Sequence, residues 1–485
     1  MSPKRRKTLG LCLSIAVALS SGCASKPAAA PPPRPSVAPT SQPSGSLALD
    51  PSVVKPMYHE LLAIDLPSVA RVAAAQNLDI QQAKHRVEAQ RGRYDVSVQA
   101  LFPVVAPSIG FQSVHGVNQN ASGTLVDADF SNIVPAVTLQ WILNPGRAIY
   151  DIIASKKRLQ ATREQEQATE LDTLRLAGVE YYDLVLAQAK VGFARQAVDE
   201  AKEAARLTTL RVRAGTALAA DELRSAAFLA ARQQDLIVAI NSFYEASVSL
   251  TVTLHLDPTV TLVPQPEKID QVTLVDDRLG IERLMGIAVE HRPDLQAART
   301  LLTAAGADKG SVAWGALGPQ LQAAYTYGGL ETRLGGDSSG LQEQQKGSAS
   351  AGFSFGLTTF GQMKISRANI RAAATQVEQQ LDLVRAQVVK AQLASNTTTQ
   401  LLPVAREQVQ SAEEALRLSQ ANLKSGTMLL LDVLQSQSEV DAARLRYAEA
   451  VVRYNQSQIA LISALGLLEI EKLVPMAQPA SQPVE

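Results

Sequence analysis

Apolar and polar positions follow two different periods along this chain, and the switch between them recurs in the same order in both halves. Val137, Leu139 and Trp141 alternate with Ala136, Thr138 and Gln140, the period-two signature of a strand. Ile109 and Phe111 predict an earlier partner strand. Between them the polar stretch from His115 to Asp129 predicts an exposed loop. In the second half Leu321, Ala323, Tyr325 and Tyr327 form one strand face. Ala351, Phe353, Phe355 and Leu357 form another, opposed by Ser350, Gly352, Ser354 and Gly356.

Elsewhere the pattern is helical. A short helix is expected from Ser68, and a second from Asp79, read as its N-cap, to Ala100, ahead of the breaker Pro103. After Pro145-Gly146 a run with almost no Gly or Pro extends to Leu210; about 64 residues at about 1.5 Å each make a helix of nearly 100 Å. Gly215 marks a turn, and a further helix is predicted from Ala219 to Leu254. The shorter helices, about 22 and 36 residues, sum to nearly the length of the long one and can lie end to end along it. The second half repeats this plan, with a helix over 294–314 before Pro319 and a helical hairpin turning at Gly426. In the last helix Leu445, Ala448, Val452, Ile459 and Ile462 form a 3-4 stripe with Asn455 in its one gap, and Val440, Ala443, Tyr447, Ala450 and Tyr454 form a second. Two seams imply neighbours on both sides, as in a wall of helices, whereas a two-stranded coiled coil needs one.

The recurrence is also literal. Val212-Arg213-Ala214-Gly215-Thr216 with Asp221 and Leu223 returns 211 positions later as Leu423-Lys424-Ser425-Gly426-Thr427 with Asp432 and Leu434. Leu101-Phe102-Pro103 returns as Leu317-Gly318-Pro319, and Asp79, Gln81 and Ala83 return as Asp294, Gln296 and Ala298. An ordered duplication implies two equivalent lobes.

The N-terminus sets the compartment. Lys4-Arg5-Arg6-Lys7 precedes an apolar stretch from Leu9 to Leu19, too short to span a bilayer and suited to a secretory signal. It ends in Leu19-Ser20-Ser21-Gly22-Cys23, which resembles a bacterial lipobox with Ser20 where Leu is usual; the alternative is an ordinary signal that happens to contain a cysteine. Cys12 leaves with the signal, so a mature chain beginning at Cys23 has no internal disulfide. Residues 1–22 hold four basic residues and no acidic ones, so their loss turns a formal net charge of +0 into −4. That balance, with no basic patch, argues against nucleic acid as a partner. The stretch rich in Pro, Ala and Ser after Cys23 reads as an extended tether, on the order of 100 Å when stretched. The expected organisation is a signal at 1–22, a lipid anchor and tether at 23–65, repeat one at 66–262, a linker at 263–276, repeat two at 277–470 and a flexible tail at 471–485.

Four strands, each apolar on one face and small or polar on the other, suit a membrane β-barrel with a wet interior. One chain cannot close such a barrel, two chains supply about eight strands whose side chains fill the bore, and three supply about twelve and leave it open. No long apolar helix is apparent after the signal, which fits an outer membrane better than an inner one.

These residues resemble the TolC-type outer-membrane factors. The resemblance is carried by Ser425-Gly426-Thr427, Leu431-Asp432-Val433-Leu434, Arg446-Tyr447 and Ala464-Leu465-Gly466, by Asn77-Leu78-Asp79 and Arg292-Pro293-Asp294 at two helix heads, and by Pro103 and Pro319 ahead of the strands. It covers about residues 66–470. It implies an α+β fold in which duplicated helical hairpins build a periplasmic α-barrel and four strands per chain contribute to a trimeric, twelve-stranded barrel in outer-membrane lipid. It further implies a passive exit duct of a tripartite efflux pump or type I secretion system, with a periplasmic adaptor and an energy-supplying inner-membrane transporter as partners. Gly215, Thr216, Gly426 and Thr427 then match the tip that adaptors contact, Asp432 and Asp221 the tip constriction, and Trp141, Phe353, Phe355 and Leu357 the lipid-facing wall. Gln435 and Met428 depart from the acid and base that some members carry at the gate.

Other chemistry is thin. Gly336-Asp337-Ser338-Ser339-Gly340 fits the nucleophile-elbow pattern, but that motif needs a strand leading into a helix, and this stretch lies in a polar segment between strands. His59-Glu60 has no second histidine at metalloprotease spacing, and no P-loop occurs, so no metal, cofactor or enzymatic activity is expected. The competing readings are a lipid-tethered periplasmic coiled-coil spacer, whose supposed strands are loops, and a hydrolase built on Ser338.

Overall fold

The structure, a computed structural model, describes residues 61–119, 122–265, 271–275, 279–334, 337–338, 340–353, 356–425 and 427–468. In chain order the elements are β1 (Leu61–Ile64), α1 (Leu66–Gln76), α2 (Leu78–Gln99), β2 (Val104–Gln119), β3 (Leu125–Leu143), α3 (Pro145–Arg213), α4 (Ala219–Thr253), β4 (Thr261–Pro264), α5 (Ile281–His291), α6 (Pro293–Leu317), β5 (Gln320–Leu334), β6 (Asp337–Ser338), β7 (Gln342–Gly352), α7 (Thr358–Lys424) and α8 (Leu430–Ala464). The α2–β2–β3–α3–α4 series is repeated as α6–β5–β7–α7–α8, the order seen in the sequence.

The helices form a wall four columns wide. The 69-residue α3 packs against α2 and α4 on one side and α6 and α8 on the other; the 67-residue α7 packs against α6 and α8. The short helices are stacked end to end as their lengths require. Asn77 Nδ2 donates to Thr253 O at 3.0 Å, joining the head of α2 to the foot of α4. Gly466, at φ +75°, brings the end of α8 so close to the head of α6 that a Cβ there would sit 2.8 Å from His291 O. Both expected stripes of α8 face neighbours, with Val440, Ala443, Tyr454, Val452 and Ile459 all buried.

The strands follow the same order, β2-β3-β5 with β7 on the far side of β5, all antiparallel. Strand k of the sheet therefore continues into column k of the wall.

Several sequence expectations are corrected. The α2 cap is Asn77, whose Oδ1 accepts from Asp79 N at 2.8 Å and Ile80 N at 3.3 Å, so Asp79 is already inside the helix. The expected loop from His115 to Asp129 is mostly ladder: the register runs out to Gln119↔Leu125, and His115 pairs directly with Asp129. Polar alternation misled there because cross-strand hydrogen bonds do not require apolar side chains. The strand expected over Ala351–Leu357 lies earlier, at Gln342–Gly352, since its partner β5 begins at Gln320 opposite Gly352 and offers no backbone beyond. Phe353 thus follows the ladder and Leu357 is the N-cap of α7. β1, inside the stretch read as tether, pairs in parallel with β4, whose last residues lie in the stretch read as linker; four residues each are too short for periodicity to reveal. Finally, α4 is long and apolar enough by length and composition to cross a membrane, against the expectation of none. It is apolar on two sides because one packs on α3 while the other, with Ile237 at 68% exposure, forms the open edge of the wall.

Candidate functional site

Two regions carry the functional candidates: the hairpin tips and the sheet. At the first tip α3 ends at Arg213, Gly215 adopts φ +73°, and Thr216 folds back, its N–H donating to Arg211 O at 2.8 Å and its hydroxyl to the same oxygen at 3.1 Å. The second tip is built alike, with Thr427 N–H and Oγ1 both on Asn422 O at 3.0 and 3.1 Å. Both threonine hydroxyls are thus bound to the outgoing helix and not to the returning one. A carbonyl in the last turn has no intrahelical donor, and a hydroxyl five residues on reaches it. Asp221 caps the next helix by accepting from Leu218 N at 3.4 Å and pairs with Arg224 at 3.3 Å. Asp432 lies exposed in the first turn of α8, where a carboxylate favours the helix dipole. Leu218 and Leu429 precede the returning helices at 70% and 71% exposure, so each tip offers a bare leucine beside its acid. Gly426 lies outside the described residues, as do Cys23 and Phe355.

Above the tips the two hairpins are joined by a polar junction that sequence reading missed. Arg232 of α4 donates to Ser438 Oγ of α8 at 2.7 Å and to Asp235 at 3.1 Å, and stands over the Phe228 ring. Gln437 of α8 donates to Glu200 of α3 and reaches Asp441 at 3.4 Å. Asp441 Oδ2 is buried, with Arg232 Nε 4.0 Å away, too far for a hydrogen bond. Burial pushes its carboxyl above the usual aspartate range, and Arg232 offsets this only in part. The available signal was Gln437 and Asp441 standing where the α8 stripes call for apolar residues.

The sheet has two faces of opposite chemistry. Val105, Pro107, Ile109 and Phe111 of β2 lie opposite Leu139, Val137, Pro135 and Ile133 of β3, and beyond them Leu321, Ala323, Tyr325 and Tyr327 of β5. Ile109 and Phe111 are 76% and 72% exposed. Trp141 belongs to this face near its helical end, its Nε1 donating to Leu101 O at 3.0 Å. The other face is polar at this level: the Thr138 and Thr326 hydroxyls meet at 3.0 Å, with Gln140 two residues along β3, Lys346 opposite Thr326 and Ser348 two residues along β7. Along β3 the apolar rows from Ile133 to Leu143 span about 33 Å at about 3.3 Å per residue, enough for a tilted strand to cross a hydrocarbon layer. Ser338 sits in the two-residue β6 on β5, and the next element is β7, so no strand-to-helix elbow forms.

A sheet with one bare apolar face, mounted on a wall of long helical hairpins, defines an outer-membrane channel subunit. The chain belongs to the outer membrane efflux protein family, whose profile matches residues 69–254 and 284–467. It is 23% identical over 404 residues to Nodulation protein T of Rhizobium leguminosarum bv. viciae, covering 80% of this chain and 79% of that protein. Among solved structures, the CmeC outer membrane channel of Campylobacter jejuni superposes with a TM-score of 0.71 at 16% identity, covering 85% of this chain and 88% of that one. The outer membrane protein VceC of Vibrio cholerae gives 0.70 at 18%, covering 83% and 96%. The fold is thus that of the TolC-type channels, and the chain is an outer-membrane efflux channel and not an enzyme.

Proposed function

We propose that three copies of the chain close into a passive exit duct whose twin tips dock a periplasmic adaptor, with an inner-membrane transporter supplying the energy. The observation that carries this reading is the shared order of strands and helical columns, open at both edges. Among the described residues β2 and β7 leave one ladder edge each unpaired, and neither the α2/α4 column nor α7, which packs on α6, α8 and the short α5, has a further long helix beyond it. Exposed edges invite another chain. Three copies give twelve strands and a bore that stays open, whereas two would fill it. On this reading Ile109, Phe111, Leu139 and Trp141 face lipid, with Phe353 and Leu357 at the membrane's inner boundary. The tips, farthest from the sheet along the helices, present Leu218, Leu429, Asp221 and Asp432 to the adaptor. A periplasmic coiled-coil spacer would have no use for a broad sheet with a bare apolar face.

The test is cross-linking from a photoreactive residue at Leu218 or Leu429 to the adaptor in cells. Gly215→Val, which forces a branched residue into the left-handed region, should leave trimers intact and reduce adaptor cross-linking and export together. Wild-type cross-linking and export in that variant would sink the tip assignment. We further propose that Cys23 is acylated. A single chain anchors only marginally and stable anchoring takes more than one, so mass spectrometry of the mature N-terminus should find a multiply acylated Cys23. An unmodified Cys23 or a different cleavage site would refute this.

A further inference from the structure

Across the described residues of its four long strands, the polar face of the sheet carries a single charge. Among the described residues of β2, β3, β5 and β7, the side chains sharing the face of Thr138 and Thr326 are uncharged except for the exposed ammonium of Lys346. Register fixes its height: Lys346 lies opposite Thr326, Thr326 opposite Thr138, and Thr138 opposite Ala106, close to the start of β2 at Val104. Of the sheet's other charged residues, His115, Asp127, Asp129, Glu331, Arg333 and Glu343 stand on the opposite face and towards the hairpin turns, and Asp337 of β6 pairs with Leu334, eight residues beyond Thr326 along β5.

We infer that Lys346 sets the electrostatic preference of the barrel lumen, so that the barrel passes anionic and uncharged solutes more readily than cationic ones. This rests on the trimeric duct, in which the polar face lines the water-filled bore and three ammonium groups stand at one level. Among the described residues no carboxylate on this face of β2, β3, β5 and β7 opposes them. Charge in a water-filled pore acts over a Debye length, about 8 Å at 0.15 M salt and about 30 Å at 0.01 M, so the three fields overlap only when salt is low. The sign is opposite to that of the acids at the tips, Asp221 and Asp432. Conductance through the whole duct would read both regions in series, and a local probe is needed.

Ser348 provides one. It is exposed on the same face, two residues from Lys346, about 6.6 Å along the strand. In Ser348→Cys channels, the modification rates by a negatively charged sulfonatoethyl and a positively charged trimethylammonioethyl methanethiosulfonate are compared, with Ser348 channels as the blank. At about 0.01 M salt the ratio of anionic to cationic rates should be about five-fold higher with Lys346 than with Lys346→Gln, and should invert with Lys346→Glu. At about 0.15 M salt the difference should shrink. Equal ratios in all three backgrounds at low salt would overturn the assignment to Lys346. A thiol that resists both charged reagents but reacts with membrane-permeant N-ethylmaleimide would show that this face does not line water, and would overturn the duct reading beneath it.

Discussion

Buried polar side chains hold the junctions of this protein, and each does so by meeting a backbone or side-chain group that would otherwise be orphaned. Gln458, fully buried, accepts from Leu274 N and Val275 N at 3.1 and 3.2 Å and donates to Ser395 Oγ at 2.8 Å, and Asn455 accepts from Val272 N at 3.0 Å. The gap that Asn455 leaves in an apolar stripe was legible in the sequence, but not that it exists to hold the chain between the two repeats. Asp441 is the less satisfied case. Because its folded carboxyl titrates above the ordinary aspartate range, its contribution to stability is fully present below that range and is lost as pH rises through the elevated value. Asp441→Asn stays neutral throughout, so its thermal unfolding followed by circular dichroism should be flatter across the acidic range and no less stable at neutral pH. A variant that matches the wild type in acid and is weaker at neutral pH would show that attraction to Arg232 outweighs burial.

At the scale of elements, long helices and alternating strands were readable because each follows one period over many residues. Their ends were less so, because ends are decided by partners. The β5–β7 ladder stops where β5 has no more backbone to offer, which moved Phe353 and Leu357 out of the strand. The face assignment survives that shift and can be tested at two adjacent residues. Leu139 lies on the apolar face and Gln140 on the polar one. Leu139→Arg should cost about 2–4 kcal/mol if the residue lies near the bilayer midplane, and should abolish heat-modifiable trimers in the outer-membrane fraction. Gln140→Arg should be tolerated. Equal behaviour of the two would mean that the sheet does not stand between lipid and water.

For the molecule as a whole, the open edges decide the expectation. Ile237 on α4 is bare in the single chain, in a helix apolar enough to pass for a membrane span. If α4 meets the α7 column of the next copy, each Ile237 buries a side chain worth about 1.5–3 kcal/mol, three times per trimer. Ile237→Glu should therefore leave the helical content of the chain unchanged and lower the fraction recovered as trimer by native electrophoresis. Undiminished trimer would place the subunit contact elsewhere.

The sequence alone determined the duplication, the long helical hairpins with the turn of the first at Gly215, and the alternating strands, because these depend on local periodicity and on residues such as glycine that tolerate a positive φ. It also carried enough ordered landmarks to point to the family. Only the tertiary structure decided the linear order of the columns, the β1–β4 pair, the binding of the tip hydroxyls and the junction of Arg232, Gln437, Ser438 and Asp441. Those depend on which distant segments meet, and a lone side chain in a helix, or a strand of four residues, carries no period that names its partner.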